Sequence, residues 1–390
     1  MRDDIYYRSV HYVNLNEPLA QDKAATSSVA EATDDYASND NYLQFVPGKG
    51  EEFVHGLVKC KAVTSENNCV PYAGQVEEEI TRKFALTLGP VHILRDAAKL
   101  VAPWRLTFVK QPQIETLIVG LHGGGLPRWL SSAFPNFNVD VVERDGSLAR
   151  VCRNYLGFRE SSNLRLWIGD PEDYIRHVAV QGLTKDTDGR TAKEASSKRY
   201  DLVMIDAIDG NGNLSSRYGR LEFINSVRNA MSNAGCVAIA LPNQQGQFVY
   251  NMVQNWRMGF TGRTVVLVHC MTSPVTMLMT FQDNAERGKA NIGSVANVDE
   301  FSDLLRSHLK HYGPNRVPFD LTGEINRDNF KVLEPGRSYD LAAYLPPGHP
   351  DVGKRSKEKK SGGGIQEWLK RASQSLLSPA MKDDIKRNGI

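Results

Sequence analysis

The stretch from Thr116 to Glu143, TLIVGLHGGGLPRWLSSAFPNFNVDVVE, constrains the fold more than any other part of the chain. A hydrophobic strand runs into four glycines, the chain turns into a helix, and a second hydrophobic strand ends on a carboxylate. This pattern is typical of a unit that holds the ribose and adenosine of a nucleotide-like cofactor. Glycines let the backbone approach a ligand closely, and Glu143 can accept hydrogen bonds from both ribose hydroxyls. His122 departs from the pattern, because it lies where a tight glycine loop would carry glycine.

The same alternation of strand-like and helical runs continues through residues 115–282. It predicts a parallel, doubly wound sheet with helices on both faces. The last two runs are joined only by a short turn, so they can pair only in the antiparallel sense. The predicted fold class is therefore α/β, with a seven-stranded, mostly parallel sheet. The predicted strands are 116–120, 139–143, 164–168, 201–206, 236–241, 263–270 and 275–281, and the helices are 126–134, 146–156, 171–180, 218–232 and 244–256.

Composition changes along the chain predict four regions. These are an N-terminal extension or small domain (1–110), the α/β domain (111–285), a C-terminal extension (286–352), and a basic linker followed by an amphipathic helix (353–390). Smaller features are also predicted within these regions. They are a strand in residues 5–15, a mobile connection at 21–41, a helix at about 75–100, a polar insertion at 182–199, and helices at 299–312 and 365–377.

Composition limits the class of protein. The 390 residues suffice for about two domains or for one domain with extensions, and a net charge of +2 gives no indication of a nucleic-acid or membrane partner. The five cysteines are scattered, odd in number and without a C-x-x-C pair, so we expect free thiols in a reducing compartment rather than disulfides or a zinc site. No apolar run reaches the roughly 18–20 residues that span a bilayer, and the N-terminal residues resemble neither a signal nor a transit peptide. We therefore expect a soluble, cytoplasmic protein without a membrane span.

Carboxylates follow several of the predicted strands at the ends where a parallel sheet binds ligands. Besides Glu143, Asp170 follows the third strand and Asp206 ends the fourth. Each such carboxylate has a structural alternative, since Asp and Glu often end strands or cap the next helix. Asp170, before Pro171, is a good helix cap, and Asp209, which follows Asp206 closely and precedes a glycine, suits a turn. Their occurrence at successive strand ends, after a glycine loop, favours a ligand site.

The segment VGLHGGGLPRWLSSAFPNFNVDVVERDGSLARVCRNYLGF, with the later GD-x-x-DYI, resembles the spermidine synthase-like branch of the class I S-adenosylmethionine (AdoMet)-dependent methyltransferases. Within that branch it is most similar to the domain type found C-terminally in the elongation factor 1-alpha lysine and N-terminal methyltransferase. The resemblance covers roughly residues 115–282. It implies a Rossmann-like class I methyltransferase fold and AdoMet as cofactor. It also implies a cofactor-binding set of Gly120, His122, Gly123, Gly124, Glu143 and Asp170, with Asp206 and Asp209 at the reaction centre.

The chain departs from the family pattern in three ways. His122 replaces a loop glycine, so its side chain either fills part of the cofactor pocket or points away from it. Gly123 stands where aminopropyltransferases carry an aspartate, and residues 42–110 show no clear polyamine-binding acidic motif. The last two departures argue against an aminopropyltransferase, and the first opens the question of lost cofactor binding.

Three functions remain open from the sequence. The first is an AdoMet-dependent methyltransferase with a protein substrate, and the second is a catalytically inactive subunit that uses its extensions as contact surfaces. The third is a polyamine aminopropyltransferase. The chain lacks the G-x-G-x-x-G pattern of dinucleotide binding, a P-loop, a G-x-S-x-G elbow and any metal-ligand spacing. The oligomeric state does not follow from the sequence.

Overall fold

The computed structural model describes residues 6–12, 53–64, 68–71, 79–88, 113–183, 199–209, 212–243, 245–270, 275–281, 297–309, 317, 319–349 and 351. Several predicted features therefore lie outside the described residues. They are the connection at 21–41, nearly all of the insertion at 182–199, the linker and helix beyond 352, and most of the helix at 75–100.

The N-terminal part forms a three-stranded antiparallel sheet in the order β1-β2-β3. The strands are β1 (Tyr6–Tyr12), β2 (Phe53–Val63) and β3 (Cys69–Pro71). A short helix, α1 (Glu79–Phe84), follows. Cys60 and Cys69 form a disulfide between β2 and β3, so the expectation of free thiols is wrong for this pair. Sequence spacing alone did not reveal the pairing, which depends on the two strands folding back on each other.

An eight-stranded sheet lies at the centre of the fold, in the order β11-β9-β10-β8-β7-β4-β5-β6. Neighbouring strands among β4 to β8 are parallel, whereas β10 pairs antiparallel with both β8 and β9. The strands are β4 (Ile114–Val119), β5 (Phe137–Glu143), β6 (Leu164–Ile168), β7 (Tyr200–Ile205), β8 (Met231–Pro242), β9 (Val265–His269), β10 (Val275–Phe281) and β11 (Phe330–Leu333).

The predicted α/β fold with its mostly parallel sheet and terminal antiparallel pair is confirmed. The sheet has one strand more than predicted, because β11 from the C-terminal extension pairs antiparallel with β9. This strand has only four residues and occurs in a segment rich in turns, so it carries too short a pattern to predict.

Helices cover both faces of the sheet, as expected for a doubly wound fold. Strand β4 shows the division, because Ile118 packs into one hydrophobic cluster while Leu117 and Val119 pack into the other. The first face carries α2 (Gly125–Ala133), α3 (Gly146–Tyr155) and α7 (Val298–Leu309). The second carries α4 (Pro171–Leu183), α5 (Leu221–Ala230) and α6 (Gly246–Gly259).

The chain divides into two compact units, residues 1–347 and 348–390. The predicted four-region organisation stays a prediction. Among the helices that the structure describes, none combines the length and the apolar character needed to span a bilayer.

Candidate functional site

The carboxyl ends of four neighbouring parallel strands meet at one edge of the central sheet. In the order β7-β4-β5-β6, these ends are followed by Asp206, the glycine loop, the turn after Glu143, and Asp170. Ligands of open α/β sheets bind at this edge. The structure thus brings the predicted loop and three predicted carboxylates to the same edge.

The glycine loop needs glycine at two of its positions. Gly120 has a φ of 98°, and a Cβ there would lie 1.9 Å from the carbonyl oxygen of Asp206. Gly124 has a φ of 74°, and a Cβ there would lie 2.8 Å from the ring of Phe158. The amide of Gly124 donates to the carbonyl of Leu121 and closes a tight turn. The first glycine therefore lets β4 approach the end of β7, and the second lets α2 begin directly against the residues that follow α3.

Glu143 anchors this loop. One carboxylate oxygen accepts from the amide of Leu121 at 2.8 Å, and the other accepts from the amide of Asp145 at 2.7 Å. Glu143 is buried. Each carboxylate oxygen has a second lone pair, so Glu143 can hold the loop and still accept hydrogen bonds from a ligand.

His122 reaches across the sheet edge to Asp206. Its backbone has a φ of 46°, the one positive value for a non-glycine residue in the described part of the chain. Its Nε2 lies 2.7 Å from the carbonyl oxygen of Asp206 and 3.0 Å from Oδ1 of the same residue. The two alternatives predicted for this side chain were that it fills part of the cofactor pocket or points away from it. In the structure the ring links the β4 loop to Asp206, which follows β7.

Asp170 is held in two ways. Its Oδ1 accepts from the amide of Glu172, which caps α4, and its Oδ2 accepts from Arg217 Nη1 at 2.7 Å. Burial raises the pKa of the Asp170 carboxyl, but the hydrogen bond and charge of Arg217, together with the backbone hydrogen bonds of Glu172 and Asp173, outweigh this and lower it. Asp170 therefore does cap a helix, and each of its carboxylate oxygens, like those of Glu143, already accepts one hydrogen bond.

Arg217 and Tyr218 also lie at the carboxyl edge of the sheet, beside Asp170, but they are not part of a recognisable sequence motif. They lie on a short 3-10 helix (Ser216–Gly219) after β7, where Arg217 Nη2 donates to the hydroxyl of Tyr218. Burial raises the pKa of Tyr218; Arg217 opposes this, and the charges of Asp170 and Glu143 add to it. The negative charges of both carboxylates therefore act on the hydroxyl of Tyr218. Only the fold brings these residues to Asp170, 47 positions away in the sequence.

Asp209 has a different surrounding. Its side chain is exposed, and its Oδ1 accepts from the amide of Asn213 at 2.9 Å. Backbone hydrogen bonds between Asp209, Gly212 and Asn213 complete a turn. These contacts are those of a turn residue, and its predicted place at the reaction centre stays a prediction.

The edge has features that fit an adenosine-like group. Ile168 at the end of β6 is 52% exposed, and added Cβ atoms at Gly125 and Gly169 would meet nothing within 4 Å. An apolar surface and open backbone beside Glu143 suit a base and a ribose. No group of three or more potential metal ligands occurs among the described residues.

Comparisons with known proteins find relatives in the predicted groups. The sequence is 27% identical to polyamine aminopropyltransferase of Vibrio vulnificus over 130 residues, covering 33% of this chain and 38% of that protein. It is 33% identical to human eEF1A lysine and N-terminal methyltransferase over 90 residues, covering 23% of this chain and 11% of the relative. The predicted resemblance is confirmed.

These matches are partial. The chain spans well under half the length of either relative. No protein-family model matches the sequence. A crystal structure of human methyltransferase-like protein 13 in complex with SAH aligns with 59% of this chain and 91% of its own chain, at 21% identity and a TM-score of 0.43.

Proposed function

We propose that this protein is an AdoMet-dependent methyltransferase that acts on a protein substrate. The observation that carries the proposal is the convergence of the glycine loop, Glu143 and Asp206 at the carboxyl edge of the parallel sheet. The sequence similarity to an eEF1A methyltransferase supports both the reaction and the class of substrate.

Several residues of this edge would hold AdoMet. Glu143 would accept from the ribose hydroxyls through its remaining lone pairs, and Ile168 would pack against the base. Bound AdoMet supplies a methyl group on a sulfonium, which a nucleophile of the substrate can attack. The protein's own contribution would be to orient the two reactants and to exclude water, which account for most of the acceleration in such in-line transfers.

Asp206 is the best-placed acidic group for the acceptor. It is buried at the end of β7, and His122 Nε2 lies within contact distance of its carboxylate. A carboxylate at this place can orient the attacking group or stabilise cationic charge. In this proposal His122 moves or rotates when substrates bind, which leaves Asp206 to face the acceptor.

The same contact supports a second candidate, a subunit of methyltransferase fold without catalysis. If His122 remains on Asp206, it separates the carboxylate from an incoming ligand. A third candidate, aminopropyl transfer, has the similarity to the Vibrio vulnificus enzyme in its favour. Gly123 in place of the loop aspartate argues against it.

A cytoplasmic location and a protein partner are further parts of the proposal. The near-neutral composition and the three buried free thiols support that location, whereas the Cys60–Cys69 disulfide argues for an oxidising compartment. Fractionation of cells that produce the protein, with each compartment probed by antibody, decides between them.

Calorimetric titration with AdoMet and with decarboxylated AdoMet separates the three functions. Binding of AdoMet alone supports methyl transfer, and preferential binding of the decarboxylated form supports aminopropyl transfer. The variant His122→Gly identifies the inactive subunit, because it should gain AdoMet binding that the natural protein lacks. Transfer of radiolabelled methyl groups to proteins of a cell extract then tests the substrate class. Binding of neither ligand by either form would contradict the proposal.

A further inference from the structure

The disulfide-closed hairpin of β2 and β3 contacts the end of helix α3 through one side chain. The side-chain amide of Asn68 makes two hydrogen bonds, both of 3.0 Å. Its Nδ2 donates to the backbone carbonyl of Arg153, and its Oδ1 accepts from the backbone amide of Gly157. Asn68 is buried. Asn68 therefore satisfies one of the carbonyls that a helix C-terminus leaves without a partner within the helix, and the backbone amide of Gly157 in the turn that follows.

The contact between hairpin and helix end is close. Gly157 has a φ of 68°, and a Cβ there would lie 2.3 Å from the carbonyl oxygen of Cys69 and 2.7 Å from Cδ of Pro71. The hairpin backbone thus lies directly against the turn that ends α3. Any larger residue at position 157 would push the two apart.

The residues around that turn support the glycine loop from the other side. The ring of Phe158 lies against Gly124, and the amide of Phe158 donates to the carbonyl of Cys152 at 3.1 Å. Cys152 in turn donates its thiol to the carbonyl of His122 at 3.0 Å. Burial, followed by the charge of Glu143, raises the pKa of this thiol to about 12, so it stays a donor at neutral pH.

The disulfide holds Asn68 at the base of the hairpin turn. Cys69 follows it directly in the sequence and is bonded to Cys60 on β2. Two hydrogen bonds close the turn: the amide of Thr64 donates to the carbonyl of Asn68, and the amide of Asn68 donates to Oγ1 of Thr64.

From these contacts we infer that Asn68 is a positioning residue for the glycine loop, and that the Cys60–Cys69 disulfide holds it in position. The N-terminal hairpin thereby pre-orders the loop for its ligand, which lowers the ordering cost of binding. The identity of the ligand rests on the proposed function. The order of the loop does not, so it can be measured separately.

Hydrogen–deuterium exchange of residues 121–125 measures that order without any ligand. In Asn68→Ala we expect exchange in this loop to accelerate about 3- to 10-fold, and the Kd for AdoMet to rise by a similar factor. Exchange in α6, on the opposite face, should not change. Asn163→Ala is the matched control. The side-chain amide of Asn163 likewise contacts two backbone groups, the carbonyls of Ser131 and Phe137, but near the amino ends of β5 and β6.

The disulfide is tested in the same assay. Reduction by a dithiol moves two electrons and two protons onto the sulfurs of Cys60 and Cys69 and converts the reagent to its cyclic disulfide. Reduced natural protein should then exchange like Asn68→Ala. Reduction of Asn68→Ala should add nothing, because both changes break the same connection.

Several outcomes overturn the inference. One is unchanged loop exchange in Asn68→Ala, and another is equal acceleration in Asn163→Ala. A third is an effect of reduction that persists undiminished in Asn68→Ala. A fourth is the presence of five titratable thiols, rather than three, in protein purified without reductant and then denatured. Failure of every form to bind AdoMet would count against the proposed function, while the exchange rates would still decide the role of Asn68.

Discussion

Two carboxylates of strand β5, Asp140 and Glu143, have opposite surroundings although three positions separate them. Asp140 lies within the strand, where its Oδ2 accepts from the hydroxyls of Tyr200 at 2.8 Å and Tyr174 at 3.2 Å. Glu143 ends the strand, where its oxygens accept from backbone amides of the glycine loop and the following turn. Both are buried.

The difference shows why the sheet edge, rather than burial, marks a site. Around Asp140 the two tyrosine hydroxyls also contact each other, and burial together with the charge of Asp140 raises the pKa of Tyr200. The other oxygen of Asp140, Oδ1, lies 3.4 Å from Nε of Arg165. We interpret these side-chain contacts as a contribution to stability. Around Glu143 the partners are backbone groups of the glycine loop, which holds His122 at a positive φ, and of the turn that follows the strand, and this arrangement fits the proposed ligand site.

The largest expected effect comes from the loop itself. Gly120→Ala should lower the free energy of unfolding by about 3 kcal/mol or more, because its Cβ would collide with the carbonyl of Asp206 at a positive φ. Gly125→Ala is the control and should be neutral or slightly stabilising, since its Cβ meets nothing. Chemical denaturation measures both. Equal stabilities would show that the loop is not constrained as described.

Glu143→Ala should weaken AdoMet binding by about 2–4 kcal/mol, because it removes ribose hydrogen bonds and frees the amide of Leu121. Calorimetry of the folded variant measures the change. An unchanged affinity would assign Glu143 a purely structural role, like that of Asp140.

Tyr200→Phe should produce the converse result. It removes a hydroxyl from Asp140 and should reduce the free energy of unfolding by about 1–3 kcal/mol. AdoMet affinity should stay as in the natural protein. A loss of affinity without a loss of stability would break the distinction between the two carboxylates.

His269 extends the comparison between Asp140 and Glu143, because it lies at the carboxyl edge of the sheet and is nevertheless buried away from solvent. Its Nδ1 contacts Thr276, whose hydroxyl donates to Asn243, and burial followed by the charge of Lys331 lowers its pKa to about 3. As the pH falls through about 6.5, His269 becomes protonated in the unfolded chain but stays neutral in the folded protein. Its stability should therefore fall as pH decreases, by about 1 kcal/mol between pH 7.5 and 5.5. A His269→Gln variant should lose this part of the slope in denaturation curves. An identical slope in both proteins would contradict the assignment.

Asp209→Ala should have the smallest effect. Its side chain is exposed and supports a turn, so we expect a loss of at most about 1 kcal/mol in stability and little change in methyl transfer. Asp206→Asn, assayed alongside it, should reduce transfer by about 100-fold. If Asp209→Ala were the more damaging change, Asp209 rather than Asp206 would be the reaction-centre acid.

Local patterns predicted the central fold well, because each strand and helix between 114 and 281 has its own hydrophobic periodicity and residues that mark its ends. The positions of Glu143 and the glycines at the carboxyl edge follow from the same local patterns, whereas their role in binding a ligand stays a prediction. Contacts between distant side chains could not be predicted in this way. The partner of Asp170 is Arg217, the partner of His122 is Asp206, and Cys60 is bonded to Cys69. Each of these depends on strand order or on a hairpin that brings the two residues together.

The most direct test of the account is calorimetric titration of AdoMet into the natural protein, Glu143→Ala and Tyr200→Phe side by side. We expect saturable binding at one site in the natural protein, equal affinity in Tyr200→Phe and a loss of about 2–4 kcal/mol of binding free energy in Glu143→Ala. Absence of binding in the natural protein and also in His122→Gly would contradict it. So would equal affinity in all three proteins.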